Sequence, residues 1–179
     1  MRAAVAPAPD VIWLNGAFGV GKTTVAEFLV ERIDCATLLD PEVIGEMLRE
    51  LLPAPWQEDD WQDISLWRKL TREAIAGLVD EGRAPLVVPM TLVRPDYFDE
   101  IVGALRRSGI TVRHFALVAR SETILGRLGA RDAERSQWAR GRVADCVAQL
   151  ADSRFAEHID ADACDAGAVA AEILGRLAA

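Results

Sequence analysis

The residues best suited to chemistry form one run, Gly16-Ala17-Phe18-Gly19-Val20-Gly21-Lys22-Thr23, followed by Thr24. Glycines at these intervals let the backbone take left-handed turns, so successive N–H groups point into one concavity and hold an anion. The spacing fits G-x-x-x-x-G-K-[ST], a phosphate-binding loop. Lys22 can reach the β- and γ-phosphates of ATP, and the Thr23 hydroxyl can ligate Mg²⁺. A helix beginning at Gly21 or Lys22 would add its N-terminal dipole.

A phosphate loop needs an acidic partner and cations, and the sequence offers both. Asp40 closes a short apolar run and is expected to lie beside the strand that carries the loop. Its carboxylate could hold Mg²⁺, take a proton from an acceptor hydroxyl, or cap the helix opened by Pro41. Val88-Pro89-Met90-Thr91 ends another strand without an acidic residue. Met90 and Thr91 read as an apolar wall and a hydroxyl lining a substrate pocket, or as a plain strand-terminating turn. Arg49 either reaches an anion in the cleft or pairs with Glu46 or Glu50. Trp56, Trp61 and Trp67 form a mini-core under a cap or supply stacking walls for a flat ring. Arg120, Arg127, Arg131, Arg135, Arg140 and Arg142 crowd one region. They form a solvated helix face with Asp132 and Glu134, or a lid over residues 127–142 whose Arg127 and Arg131 close on a migrating phosphoryl group.

These residues must be positioned by alternating strands and helices. Strands are expected at Val11–Leu14, an apolar run that reads as buried, at Ala36–Leu39, a second buried strand, at Leu86–Val88 and Val112–Val118, and at the short His158–Asp160. Helical spacing predicts Lys22–Ile33, Pro41–Leu52, Ile64–Asp80, Pro95–Arg107, Glu122–Leu128, a helix running to about Asp152, and Gly167–Leu177. The pattern is α/β: a parallel sheet covered on both faces. Residues 1–10 read as a flexible leader and residues 11–179 as a single domain.

Composition narrows the partners. The formal net charge is −8, which argues against nucleic acid. Lys22 and Lys69 are the only lysines, so lysine chemistry has two candidates. Cys35, Cys146 and Cys164 lack metal-ligand spacing and suit a reducing, cytoplasmic compartment. No stretch approaches the ~20 apolar residues of a membrane span. The partner expected is a small molecule, and the protein a monomer or homodimer.

The chain resembles a nucleoside-monophosphate-kinase-like P-loop kinase, and in finer detail the tunicamycin-resistance protein family. The resemblance is carried by Ile12-Trp13-Leu14-Asn15-Gly16-Ala17-Phe18-Gly19-Val20-Gly21-Lys22-Thr23-Thr24, Asp40-Pro41-Glu42, Val88-Pro89-Met90-Thr91-Leu92, Ser136-Gln137-Trp138 with Cys146, and Phe155 with His158-Ile159-Asp160. It implies a three-layer P-loop fold with a five-stranded parallel sheet, ATP on the loop, and an arginine-rich lid. It also implies Arg49 against an anionic acceptor group and Asp40 as the base. The Asp-Gly pair that follows strand three in monophosphate kinases is absent, which argues against a nucleoside monophosphate acceptor. The family suggests resistance to a uridine-containing antibiotic, by phosphorylating a hydroxyl or by binding and sequestering the drug. A regulatory switch is a third reading, but no Asn-Lys-x-Asp guanine motif is present.

Overall fold

The computed structural model describes residues 8–56, 58–129 and 133–179. Its centre is β1, Val11–Gly16, whose six residues are all buried. β1 is flanked on both sides, pairing in parallel with β3 (Leu86–Pro89) and β4 (Val112–Val118). β2 (Thr37–Leu38) and β5 (His158–Asp160) close the two edges, giving the order β2-β3-β1-β4-β5, all parallel.

Parallel strands need crossovers, and the helices cover both faces. They are α1 (Lys22–Arg32), α2 (Glu42–Leu51), α3 (Ser65–Asp80), α4 (Pro95–Phe98), α5 (Ala104–Arg107), α6 (Ser121–Leu128), α7 (Ala133–Leu150) and α8 (Ala166–Ala178). A π-helical turn, Asp99–Gly103, joins α4 to α5. Side chains alternate along β1, so Ile12 and Leu14 join one core with α1, α6, α7 and α8. Val11 and Trp13 join the other core with Leu48, Trp67, Ile75 and Leu105. This is the three-layer α/β P-loop fold.

Two expectations about β2 need correction. Its residues are exposed, Leu38 at 39%, because it is a two-residue edge strand and not a buried one. It is also not adjacent to β1, since β3 lies between them. Two strand spacings separate Asp40 from the loop strand, about 9–10 Å across the sheet.

A buried histidine gives the fold a pH dependence. His114 in β4 is 2% exposed, packed edge-on to Phe98 at 4.7 Å between centroids. Its Nδ1 lies 3.2 Å from the Ala156 carbonyl, to which the neutral ring donates. Its Nε2 is buried and finds no hydrogen-bond partner among the described residues. Burial pushes the imidazole down to about 4. In the unfolded chain it titrates near 6.5, so between about pH 6.5 and 4 the unfolded state binds the extra proton. Stability is therefore lost as the pH falls through that window, by up to roughly 3 kcal/mol. Urea unfolding at pH 4.5 and 7 should show this loss in the wild type and a clearly smaller one in His114→Leu.

Candidate active site

The phosphate loop follows from where β1 stops. Gly16, Gly19 and Gly21 have φ of 150°, 82° and 113°. The last two lie where L side chains are strained, and at Gly19 a Cβ would also sit 2.5 Å from Leu128 Cγ of α6. Glycine is thus required twice over at that point. Gly21 precedes α1 directly, so the loop feeds into a helix N-terminus. Lys22 Nζ lies across the loop, donating to the carbonyls of Gly16 (2.9 Å) and Ala17 (3.1 Å). Thr23 and Thr24 are exposed at the start of α1.

A buried staple fixes the loop's entry. Asn15 Oδ1 accepts from the Gly16 N–H and the Leu92 N–H, both at 2.9 Å, and its Nδ2 donates to the Leu92 carbonyl at 2.8 Å. The Thr91 hydroxyl donates to the Gly16 carbonyl at 2.8 Å. Both side chains are fully buried or nearly so, where an unmade hydrogen bond is costly, so the network holds the end of β3 against the loop. Thr91 was expected to line a substrate pocket. It is instead a bracing residue, since its hydroxyl is spent on Gly16. Met90 is likewise 2% exposed in the core, with its carbonyl accepting from Trp13 Nε1, because the chain after β3 runs inward before α4.

Asp40 is half-buried at the carboxyl end of β2. Its Oδ1 accepts from the Glu42 N–H at 2.9 Å, which realises the helix-cap reading. Oδ2 has no hydrogen-bond partner among the described residues, so capping leaves one oxygen for other work. Thr23 and Asp40 suit a hard cation that keeps phosphate and water ligands. Among the described residues no group of three or more His, Cys, Asp or Glu could enclose a metal.

The tryptophans divide by position. Trp67 is fully buried and donates to the Pro41 carbonyl at 2.9 Å, locking α3 to the start of α2. Trp61 packs over Gly45, and the Arg49 guanidinium stacks on its ring at 3.9 Å. Trp56 is 69% exposed on the turn Ala54–Trp56 and makes no ring contact among the described residues, none of which draws this proposed substrate wall toward the loop.

Arg127 was expected to close on a migrating phosphoryl group. Its guanidinium is instead committed to backbone, donating to Val20 O (3.0 Å) and Ala161 O (2.9 Å). It thereby lines a cavity of about 250 Å³ with Gly19, Thr24, Cys164, Asp165 and Val169, on the flank of the loop. Arg131 lies outside the described residues.

Sequence reasoning missed a second polar cluster at the end of β3. Asp60, 2% exposed, accepts from Gln62 Nε2 at 2.9 Å and from Arg142 Nη2 of α7 at 2.8 Å. Burial raises its carboxyl above the ordinary value, while Gln62 and Arg142 pull it back. Gln62 Oε1 accepts from the Val93 N–H at 3.3 Å. Arg142 lies 5.4 Å from the Trp138 ring centre, and Trp138 meets Phe18 of the loop edge-on at 4.9 Å. The Cys146 thiol, pushed up to about 11 by burial, feels the opposing charges of Lys22 and Arg142. The only sequence signal was Arg142 among the crowded arginines; Asp60 carried none.

A phosphate loop braced at the carboxyl ends of a five-stranded parallel sheet defines a P-loop nucleotide-binding protein. The chain belongs to the AAA domain family, whose model matches residues 11–159. Among solved structures it is similar to the tunicamycin resistance protein of Deinococcus radiodurans, with 29% identity over 93% of this chain and 94% of that one, and a TM-score of 0.78. It shares its fold with a gluconokinase from Sinorhizobium meliloti 1021 (19% identity, 95% and 94% covered, TM-score 0.66). A shikimate kinase from Bacteroides thetaiotaomicron is also alike in fold (16% identity, 95% and 99% covered, TM-score 0.64). No curated protein matches the sequence. Among the described residues no helix is long and apolar enough to cross a membrane.

Proposed function

We propose that the chain is an ATP-dependent phosphotransferase that phosphorylates a hydroxyl of a small molecule, a uridine-containing nucleoside antibiotic of the tunicamycin kind, and so confers resistance. The observation that carries this reading is the pairing of the Gly16–Thr23 loop with Asp40 across the carboxyl ends of β1, β3 and β2. The similarity to the Deinococcus radiodurans protein supports the acceptor class.

The residues divide the work. Loop N–H groups and Lys22 hold the β- and γ-phosphates, and the cavity beside Arg127 takes the nucleotide base. Thr23 and Asp40 would hold Mg²⁺, which supplies charge neutralisation on the phosphates. The acceptor hydroxyl oxygen bonds to the γ-phosphorus, the bond to the β–γ bridging oxygen breaks, and ADP leaves. The hydroxyl proton passes to the Asp40 carboxylate.

Sequestration without modification is the second reading, favoured by one observation: Asp40 already serves as a helix cap through Oδ1. Mass spectrometry separates the two. The protein incubated with Mg·ATP and a panel of uridine nucleoside antibiotics, sugars and monophosphates should add one phosphoryl mass, about 80 Da, to one acceptor. Tight binding of an acceptor whose mass never changes would replace the kinase reading with sequestration.

A further inference from the structure

We propose that the Asp60–Arg142 ion pair sets acceptor specificity, neutralising the arginine so that the site takes an uncharged hydroxylated acceptor and rejects a phosphate or carboxylate. This rests on the acceptor lying at the end of β3, as in the reading above.

The placement comes from contacts. Gln62 holds both Asp60 and the Val93 N–H, which ties the pair to the chain leaving β3. On the other side, Arg142 adjoins Trp138, and Trp138 adjoins Phe18 of the phosphate loop. The pair therefore bridges α7 and the 60–63 turn beside the loop, where an acceptor must approach the γ-phosphate.

Charge and burial supply the selectivity. Arg142 is about one-third exposed, at 32%, and within reach of a ligand, whereas Asp60 is 2% exposed. An incoming anion that took the guanidinium for itself would leave a buried carboxylate without its cation, and would face that carboxylate at close range. A neutral hydroxyl meets no such penalty, since it can accept from the arginine while the pair stays intact. The upward push of burial on the Asp60 carboxyl agrees with a charge that depends on its partner.

Asparagine at position 60 keeps the hydrogen bond from the Gln62 N–H through Oδ1 and removes the charge, while the oxygen that accepts from Gln62 Nε2 and Arg142 becomes an amide nitrogen. With Mg and a non-hydrolysable ATP analogue bound, calorimetric titrations would compare uridine with uridine 5′-monophosphate and glucose with gluconate. The wild type should bind neither anion more tightly than its neutral counterpart. Asp60→Asn should gain about tenfold or more for at least one anion relative to its counterpart, and the gain should vanish in Asp60→Asn combined with Arg142→Gln. Asp60→Ser carries the same expectation if the asparagine variant does not fold. A wild type that prefers the anion, or a folded variant with no relative gain, overturns the proposal. The analogue titration is read separately: failure of the nucleotide to bind would sink the kinase reading, whereas a bound nucleotide with no anion gain sinks only the specificity role.

Discussion

Asp40→Asn is expected to leave the protein folded and to lower phosphoryl-transfer turnover by roughly 10²–10⁴-fold, the range for removing a positioned general base. Asparagine retains an Oδ1 that can accept from the Glu42 N–H, so the cap on α2 survives. Oδ2, the oxygen without a partner among the described residues, becomes an amide nitrogen that can neither take a proton nor bind a cation. The thermal midpoint should move little, and acceptor affinity less than turnover, because the loss falls on the transition state. Asp40→Ala gives the contrasting result: the same catalytic loss plus about 1 kcal/mol of stability from the missing cap. Near-normal turnover in a folded Asp40→Asn protein would return Asp40 to a purely structural role.

The parts of this molecule that were legible in the sequence are those written in local pattern. β4 and β5 are expected at Val112–Val118 and His158–Asp160 and are found there; in β4 an apolar run bounded by turn residues specifies a largely buried strand directly, whereas β5 is a short edge strand in which only Ile159 is buried. The glycines of the loop were legible for a related reason: only glycine tolerates the φ at Gly19 and Gly21, so backbone geometry is recorded in residue type. Strand order is not legible in this way: the sequence suggests β2 beside β1, but sequence adjacency is a weak guide to sheet adjacency once a crossover intervenes, and β3 lies between them. Thr91 shows a different limit. A threonine at a strand end reads as a pocket-lining hydroxyl or as part of a plain turn, and the bracing role is visible only from the carbonyl opposite it, Gly16 from a distant part of the chain. Asp60 is the extreme case, since its partners Gln62 and Arg142 converge from the 60–63 turn and α7 and leave no spacing to recognise.

Lys22→Ala should lower turnover by roughly 10²–10³-fold, the cost of deleting a charge aimed at the transferring group, and weaken nucleotide binding about tenfold. The asymmetry follows from what the loop keeps. Its N–H groups and the α1 N-terminus still hold the phosphates of the ground state. The negative charge that shifts toward the β–γ bridging oxygen as the bond breaks has no other lysine to meet it, since Lys69 lies on α3 and is the only other one in the chain. The ammonium also braces the loop through the Gly16 and Ala17 carbonyls, so a purely structural effect must be separated from a catalytic one. Lys22→Arg makes that separation. It preserves positive charge and can donate to the same carbonyls, but a planar fork replaces a compact point charge, so binding should recover well before turnover does. Calorimetry with the ATP analogue and single-turnover kinetics on the acceptor found by mass spectrometry would read the two quantities independently. Equal losses of binding and turnover in Lys22→Ala, both restored by Lys22→Arg, would reduce Lys22 to a brace and move the catalytic charge elsewhere.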